Sequence, residues 1–136
     1  MNNWLAPAVT ALIIYGFWGF FPKLAVTYIN PLSALIYQIA GAIAVGILGL
    51  FLLGFQPETH PKGILFAVLT GVAGMLGTLF YFTAASRGKI SVVVSMTALY
   101  PLITIVLAAV FLREPISLTQ IFGMIFAVIA IILLSI

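Results

Sequence analysis

The segment GFWGFFPKLA, residues 16–25, lies inside a long apolar run and yet places a proline directly before a lysine. Apolar runs in this chain reach about 20 residues, which is the length of a helix that crosses a lipid bilayer. Of the 136 residues, 65% are hydrophobic and only 5% are charged, too few to cover the exterior of a water-soluble domain. The sequence therefore predicts an all-α integral membrane protein.

Helix-stopping residues divide the apolar sequence into five runs. The predicted transmembrane helices are residues 5–28, 32–55, 63–86, 90–112 and 116–136. Short connections that contain proline, glycine or charged residues join them, so consecutive helices are expected to be antiparallel. We expect residues 1–136 to form a single membrane domain. The first run lacks the flanks of a cleaved export signal and is interpreted as a retained helix.

Several function classes lack the residues that they require. The chain has no cysteine, which excludes disulfides, thiolate metal sites and cysteine nucleophiles. Its one histidine, His60, lies beside Glu58 in a loop and supplies neither a metal ligand set nor a catalytic constellation. The five basic residues are scattered and form no nucleic-acid-binding patch. We expect no enzyme activity, no cofactor, no metal and no nucleic-acid partner.

The basic residues give almost no preference for one orientation in the membrane. Lys62 and Arg113 lie on the side of the N-terminus, whereas Arg87, Lys89 and Lys23 lie toward the opposite side. A chain inserted in both orientations can pair with its own inverted copy, which is the arrangement of the two halves in many secondary transporters. The charge count leaves two hypotheses open, an antiparallel homodimer and a single fixed orientation.

In the first helix, Gly16, Gly19 and Lys23 share one face. Pro22 has no N–H to donate to the carbonyl of Trp18, which predicts a kink or hinge there. Two interpretations of Lys23 stay open. It can extend to the membrane surface along its aliphatic stem, or it can attract a carboxylate or phosphate of a solute from a wet cavity.

The third and fourth helices carry similar features. Small and mildly polar residues form a stripe along the third helix: Gly71, Gly74, Thr78, Tyr81 and Ala85. Close helix packing and a cavity wall are both possible roles for that stripe. In the fourth helix, Pro101 removes the donor for the carbonyl of Thr97, which predicts either an interrupted, hinge-forming helix that lines a cavity or a benign kink.

The remaining candidates are distributed over all five helices. The candidate substrate-binding residues are Lys23, Trp18, Gln38, Thr78, Tyr81, Ser95 and Tyr100. A seam of small residues in the fifth helix is predicted to pack against another helix or against a second copy: Gly123, Ala127 and Ala130.

Two stretches resemble the EamA module of the drug/metabolite transporter superfamily. The first is TALYPLITIVLAAVFLREPISLTQIFGMIFAVIA, in which Pro101, Glu114, Gln120 and Gly123 match the positions of the family pattern. The second is YGFWGFFPKLA, in which the family's glycine and lysine are Gly16 and Lys23, while tyrosine replaces its tryptophan. Arg113 and Ala130 stand where the family often has glycine.

This resemblance implies one five-helix half of a ten-helix transporter with inverted halves. The implied function is a secondary transporter or facilitator of small metabolites, which works as an antiparallel homodimer by alternating access in a prokaryotic inner membrane. Glu58 and Glu114, the only carboxylates, lie in predicted loops, so proton coupling through a buried acid is not expected. The alternative is a non-transporting interaction subunit or half of a heterodimeric transporter.

Overall fold

The structure, a computed structural model, describes residues 4–135, and the secondary structure in that range is helical. Its elements are α1 (Leu5–Tyr28), α2 (Pro31–Leu52), α3 (Pro61–Arg87), α4 (Ile90–Thr97), α5 (Tyr100–Leu107), a π-helical segment (Ala108–Leu112) and α6 (Leu118–Ser135). Five stretches of the described residues are long and apolar enough to cross a membrane, and α4, α5 and the π-helical segment together make the fourth. The predicted all-α membrane fold is confirmed. Ile136, the predicted end of the fifth helix, lies outside the described residues.

The chain divides into two compact units, unit 1 (Met1–Arg87) and unit 2 (Gly88–Ile136). Within unit 1, α1, α2 and α3 pack against one another. Within unit 2, α4 packs against α6. That residues 1–136 form a single domain stays a prediction.

Helix α2 ends at Leu52, three residues before its predicted end, because the chain makes a left-handed turn there. The N–H of Phe55 donates to the carbonyl of Leu50 at 2.9 Å, and the N–H of Gly54 donates to the carbonyl of Phe51 at 3.1 Å. This pair of hydrogen bonds is the Schellman motif, and it requires a left-handed residue after the helix. Gly54 supplies that conformation with a φ of 58°.

The fourth span is interrupted, which is one of the two alternatives that Pro101 predicts. Helix α4 ends at Thr97 and α5 begins at Tyr100. In between, the N–H of Leu99 reaches the carbonyl of Met96, three residues back, at 3.3 Å. In contrast, α1 runs through Pro22 without an interruption.

Helix α6 begins at Leu118, two residues after its predicted start, because Ser117 caps it. The hydroxyl oxygen of Ser117 accepts the N–H of Gln120 at 3.2 Å, and the side-chain carbonyl of Gln120 accepts the N–H of Ser117 at 2.8 Å. This reciprocal pair is a capping box, which satisfies two backbone donors at the helix start. Gln120 therefore helps to start α6.

The turn between the π-helical segment and α6 holds Arg113 in a left-handed conformation, with a φ of 57° and a ψ of 32°. Its N–H donates to the carbonyl of Ala108. A side chain with a Cβ atom is strained in this region, whereas glycine is not. The glycine that the family pattern often has at this position would therefore fit the turn better.

We predict that the variant Ser117→Ala lowers the free energy of unfolding by about 1 kcal/mol, because it removes one side of the capping box. Gln120→Glu is the matched control, since glutamate accepts the same N–H and should leave stability within about 0.5 kcal/mol of the wild type. Unfolding of the purified protein in mixed micelles measures both values. An unchanged stability of Ser117→Ala would contradict the capping role.

We predict that Arg113→Gly raises the free energy of unfolding by about 0.5–1 kcal/mol. Relief of the left-handed strain, about 1–2 kcal/mol, exceeds the additional chain entropy that glycine loses on folding, about 0.5–1 kcal/mol. Arg113→Lys keeps both the strain and the charge, so its stability should equal that of the wild type. The same unfolding assay tests the pair, and equal stability of the glycine and lysine variants would refute the strain argument.

Candidate functional site

Helices α1 and α3 of unit 1 meet along a contact that we name the α1–α3 seam. It is defined by Trp18, Gly19 and Lys23 on α1 and by Tyr81 and Ala85 on α3. Tyr81 is 5% exposed and Ala85 is fully buried, so this end of the predicted α3 stripe is a packing surface. The sequence pattern could not decide between packing and a cavity wall, because the decision depends on which helix covers the stripe.

The other residues of the α3 stripe differ in burial. Thr78 is 4% exposed, so within unit 1 it is enclosed and does not face open space. Gly71 and Gly74 are exposed, and a Cβ atom placed on either would meet no atom within 4 Å. The N-terminal half of the stripe is therefore uncovered in the single chain.

Tyr81 binds α1 through its hydroxyl group, which donates to the carbonyl of Gly19 at 2.7 Å. A buried tyrosine needs a partner for this group. The acceptor lies three residues before Pro22, in the turn where proline removes one backbone donor from α1. Tyr81 thus supplies a hydrogen bond to α1 in the turn that proline weakens.

Lys23 reaches across the seam and donates from its Nζ to the carbonyl of Ala85 at 2.8 Å. Ala85 lies in the last turn of α3, where the carbonyl groups have no amide donor within the helix. A cation at this end also meets the partial negative charge of the helix dipole. The structure therefore places the Lys23 ammonium on a helix C-terminus, a contact that neither sequence-based interpretation of this residue includes.

Aromatic rings extend the seam. The rings of Trp18 and Tyr81 have centroids 5.3 Å apart at an interplanar angle of 35°. Tyr15 meets Trp18 edge to face at 6.5 Å. Because Trp18 is still 39% exposed, part of its indole is accessible beside the buried tyrosine.

The other candidate residues lie on separate elements. Gln38 is half-buried on α2. In unit 2, the hydroxyl of Ser95 donates to the carbonyl of Ser91 at 2.7 Å, and Tyr100 is 63% exposed. On α6, Gly123 and Ala130 are exposed, and the structure shows no atom within 4 Å of a Cβ placed on the glycine.

One face in unit 2, which we name the break face, surrounds the interruption of the fourth span; sequence reasoning identified Tyr100, Pro101 and the carbonyl of Thr97 on it but not Thr104. It consists of Thr97, Tyr100, Pro101 and Thr104, all exposed and spaced as one side of a helix around the interruption of the fourth span. The same side of the span continues with Leu107, Ala108, Phe111 and Leu112. The i, i+3, i+7 spacing of Thr97, Tyr100 and Thr104 is the signal that could have identified this face.

His60 has a local structural role. Its Nδ1 accepts the N–H of Gly63 at 3.4 Å, at the start of α3. Among residues 4–135, no group of three histidine, cysteine or acidic residues could hold a metal ion.

Comparison with known proteins identifies the family of this chain. The model of the EamA-like transporter family matches residues 2–136. The chain is 32% identical to the uncharacterized protein MJ1333.1 of Methanocaldococcus jannaschii, over all of this chain and 98% of that protein. It is also 32% identical to the uncharacterized transporter YvbV of Bacillus subtilis, over 74% of this chain but only 35% of that protein.

No solved structure matches the chain. The family match spans both units and all five predicted membrane spans. It agrees with the resemblance seen in the two sequence stretches around Lys23 and Pro101. This chain belongs to the EamA-like transporter family and has the length of a single half of a drug/metabolite transporter.

Proposed function

We propose that two copies of this chain, inserted in opposite orientations, form a transporter of small metabolites that works by alternating access. One observation carries the proposal: the chain matches the family model along residues 2–136 but corresponds to only 35% of the Bacillus subtilis transporter. Many transporters of this kind are built from two inverted halves around a site near the bilayer midplane. A second, inverted copy would supply the other half.

The charge distribution supports the inverted pairing. Two basic side chains, Lys62 and Arg113, lie on one side, against three, Lys23, Arg87 and Lys89, on the other. The contact of Lys23 with the end of α3 agrees with its assignment to the second group. Orientation follows the difference in lysine and arginine between the two sides, and this difference is one residue.

Candidate substrate-binding residues lie in each of the two units. In unit 1, Lys23 supplies positive charge that attracts an anionic group, and Trp18 supplies an apolar wall. Tyr81 and Thr78 support that wall, and Gln38 adds an amide. In unit 2, the candidates are Ser95 and Tyr100.

The conformational change is assigned to the fourth span. Its helix is already divided before Pro101, and hinges use residues at the ends of elements. Around Pro22, α1 is continuous and is held to α3 by the hydrogen bonds of Tyr81 and Lys23. Pro22 is therefore the weaker hinge candidate.

The partner copy would pack on small residues of α6, of which Gly123 and Ala130 are exposed and Ala127 is half-buried. Gly123, Ala127 and Ala130 of α6 form the proposed contact, and small residues let membrane helices approach closely.

The proposed location is a prokaryotic inner membrane, because the two relatives come from an archaeon and a bacterium.

We predict that the wild-type chain adopts both orientations and that charge substitutions select one. Lys62→Gln should place the N-terminus outside, and Arg87→Gln with Lys89→Gln should place it inside. The chain has no cysteine, so one cysteine introduced at Thr59 is a unique probe for labelling from either side of the membrane. A single orientation of the wild type and of both variants would contradict the inverted pair and favour a non-transporting or heterodimeric subunit.

We predict a different response from the two side chains that cross the α1–α3 seam. Lys23→Met should raise the KM for anionic solutes about tenfold or more in proteoliposomes, because it removes the attracting charge. Tyr81→Phe removes a cross-helix hydrogen bond of about 1 kcal/mol without a change of charge, so it should lower stability and leave KM nearly unchanged. If both variants lose stability alike and neither changes KM, Lys23 is a structural residue only.

A further inference from the structure

Unit 1 is packed at one end and open at the other. Its three helices alternate in direction, so the C-terminal halves of α1 and α3 and the N-terminal half of α2 lie at one end, which we name the packed end. Among residues 4–87, all buried residues lie there: Gly19 and Pro22 on α1, Ala34 on α2, and four residues between Thr78 and Ala85 on α3. The opposite end, which we name the open end, consists of residues 5–18, 42–52 and 61–77, and none of these is buried.

The open end presents helix surface that the chain itself does not cover. Gly71, Gly74 and Gly77 lie on this part of α3, and a Cβ atom placed on any of them would meet no atom within 4 Å. Glycine is a poor helix former, and in membrane helices small residues are enriched where a second helix packs. These glycines indicate a helical partner, and the charges at the two ends of the unit indicate which partner it is.

The two ends of unit 1 differ in charge. Glu58 lies in the connection between α2 and α3, at the open end, and its side chain is exposed. Lys62 at the same end cancels its formal charge. Arg87 ends α3 at the packed end and is exposed, and Lys23 lies at that end in contact with the carbonyl of Ala85. The packed end therefore has two cations and no acid, whereas the open end has the only carboxylate of the unit.

Unit 2, taken by itself, has the same division. Its described residues are buried at Val93, near the start of α4, and at Ile131, near the end of α6. Lys89 lies at that end of α4, whereas Glu114 lies in the connection that precedes α6, and both are exposed. Because the five spans alternate in direction, the two carboxylates of the chain lie on the same side of the membrane, and Arg87 and Lys89 lie on the other.

We propose that the open end of unit 1 packs against the packed end of unit 1 in an inverted second copy, with Glu58 facing the partner's Arg87. An inverted pair places each open end on the same side of the membrane as the packed end of the other copy, so the acid meets a base. A pair in the same orientation would set Arg87 beside the partner's Arg87, and Glu58 beside the partner's Glu58. By the same argument, Glu114 of unit 2 faces the partner's Lys89.

Twofold symmetry repeats each of these contacts, since each copy offers both the acid and the base. The contact is additional to the one proposed for α6. It rests on the proposed inverted transporter and specifies the surface that joins the two copies. Pairing and its charge dependence can be measured without transport.

Cross-linking tests the arrangement. Thr59 and Ser86 are exposed neighbours of Glu58 and Arg87, and the chain has no cysteine, so Thr59→Cys and Ser86→Cys each introduce a single thiol. The two variants are reconstituted together in liposomes and treated with a bismaleimide much shorter than the ~30 Å hydrocarbon core. Mixed dimers that join one variant to the other should be the main product. Dimers of like variants as the main product, or no dimer, would overturn the proposal.

Dimer affinity tests the charges. Glu58→Gln combined with Glu114→Gln removes both carboxylates and leaves every lysine and arginine in place, so the membrane orientation should not change. Energy transfer between donor-labelled and acceptor-labelled chains, at graded ratios of lipid to protein, measures the affinity. This variant should dimerise about fivefold or more weakly than the wild type in low salt, and the difference should vanish in high salt, which screens exposed charges.

The matched control is Glu58→Asp combined with Glu114→Asp, which keeps both charges and should dimerise like the wild type. Equal affinity of the glutamine variant and the wild type in low salt would refute the ion pairs.

The outcomes separate the two proposals. Mixed cross-links with an unchanged affinity of the glutamine variant would refute the charged contact and leave the inverted transporter intact. Weaker pairing of the glutamine variant, in a protein that moves no solute across liposomes, would support the contact and refute the transport function. Dimers in the same orientation would refute both.

Discussion

Carbonyl groups of the backbone inside a bilayer must find hydrogen-bond donors within the protein, because hydrocarbon supplies none. The α1–α3 seam supplies side-chain donors to backbone carbonyls at two points. The hydroxyl of Tyr81 donates to Gly19 at 2.7 Å, and the ammonium of Lys23 donates to Ala85 at 2.8 Å. Each bond joins one helix to the other, so the side chains that satisfy polar backbone groups also hold unit 1 together. Helix α1 continues past Pro22, which lies three residues after the Gly19 carbonyl that accepts the Tyr81 hydroxyl.

The helical backbone around the proline of unit 2 differs from that around Pro22 in unit 1. The helix is divided before Pro101, and Thr97 and Ala98 at the division are exposed residues. A rigid, cross-bonded pair of helices in one unit and an interrupted span in the other would give a transporter both a fixed wall and a moving element. We propose this interruption as the hinge of the fourth span.

The sequence was sufficient to predict the five membrane spans, because they depend on hydropathy over about 20 residues. It was also sufficient to recognise the family resemblance, because the Pro, Glu, Gln and Gly positions are local features of the sequence. Helix ends were wrong by two or three residues at Leu52 and Leu118, where a Schellman turn and a capping box decide the boundary. The Ser117–Gln120 spacing would have predicted the second of these. The partner of Lys23 could not be predicted, since it lies 62 residues away and depends on how α1 and α3 meet. For the same reason, the α3 stripe could not be divided into its buried end and its uncovered glycines.

Isotope-edited infrared spectroscopy of the protein in bilayers tests the central claim, which is that one interrupted span exposes polar backbone while the seam encloses its own. Two samples each carry one labelled carbonyl, at Gly19 or at Thr97. The account predicts a narrow, strongly hydrogen-bonded band for Gly19 that does not respond to hydration, and a broad band for Thr97 that shifts when water is added. A Thr97 band that is narrow and insensitive to water would contradict it.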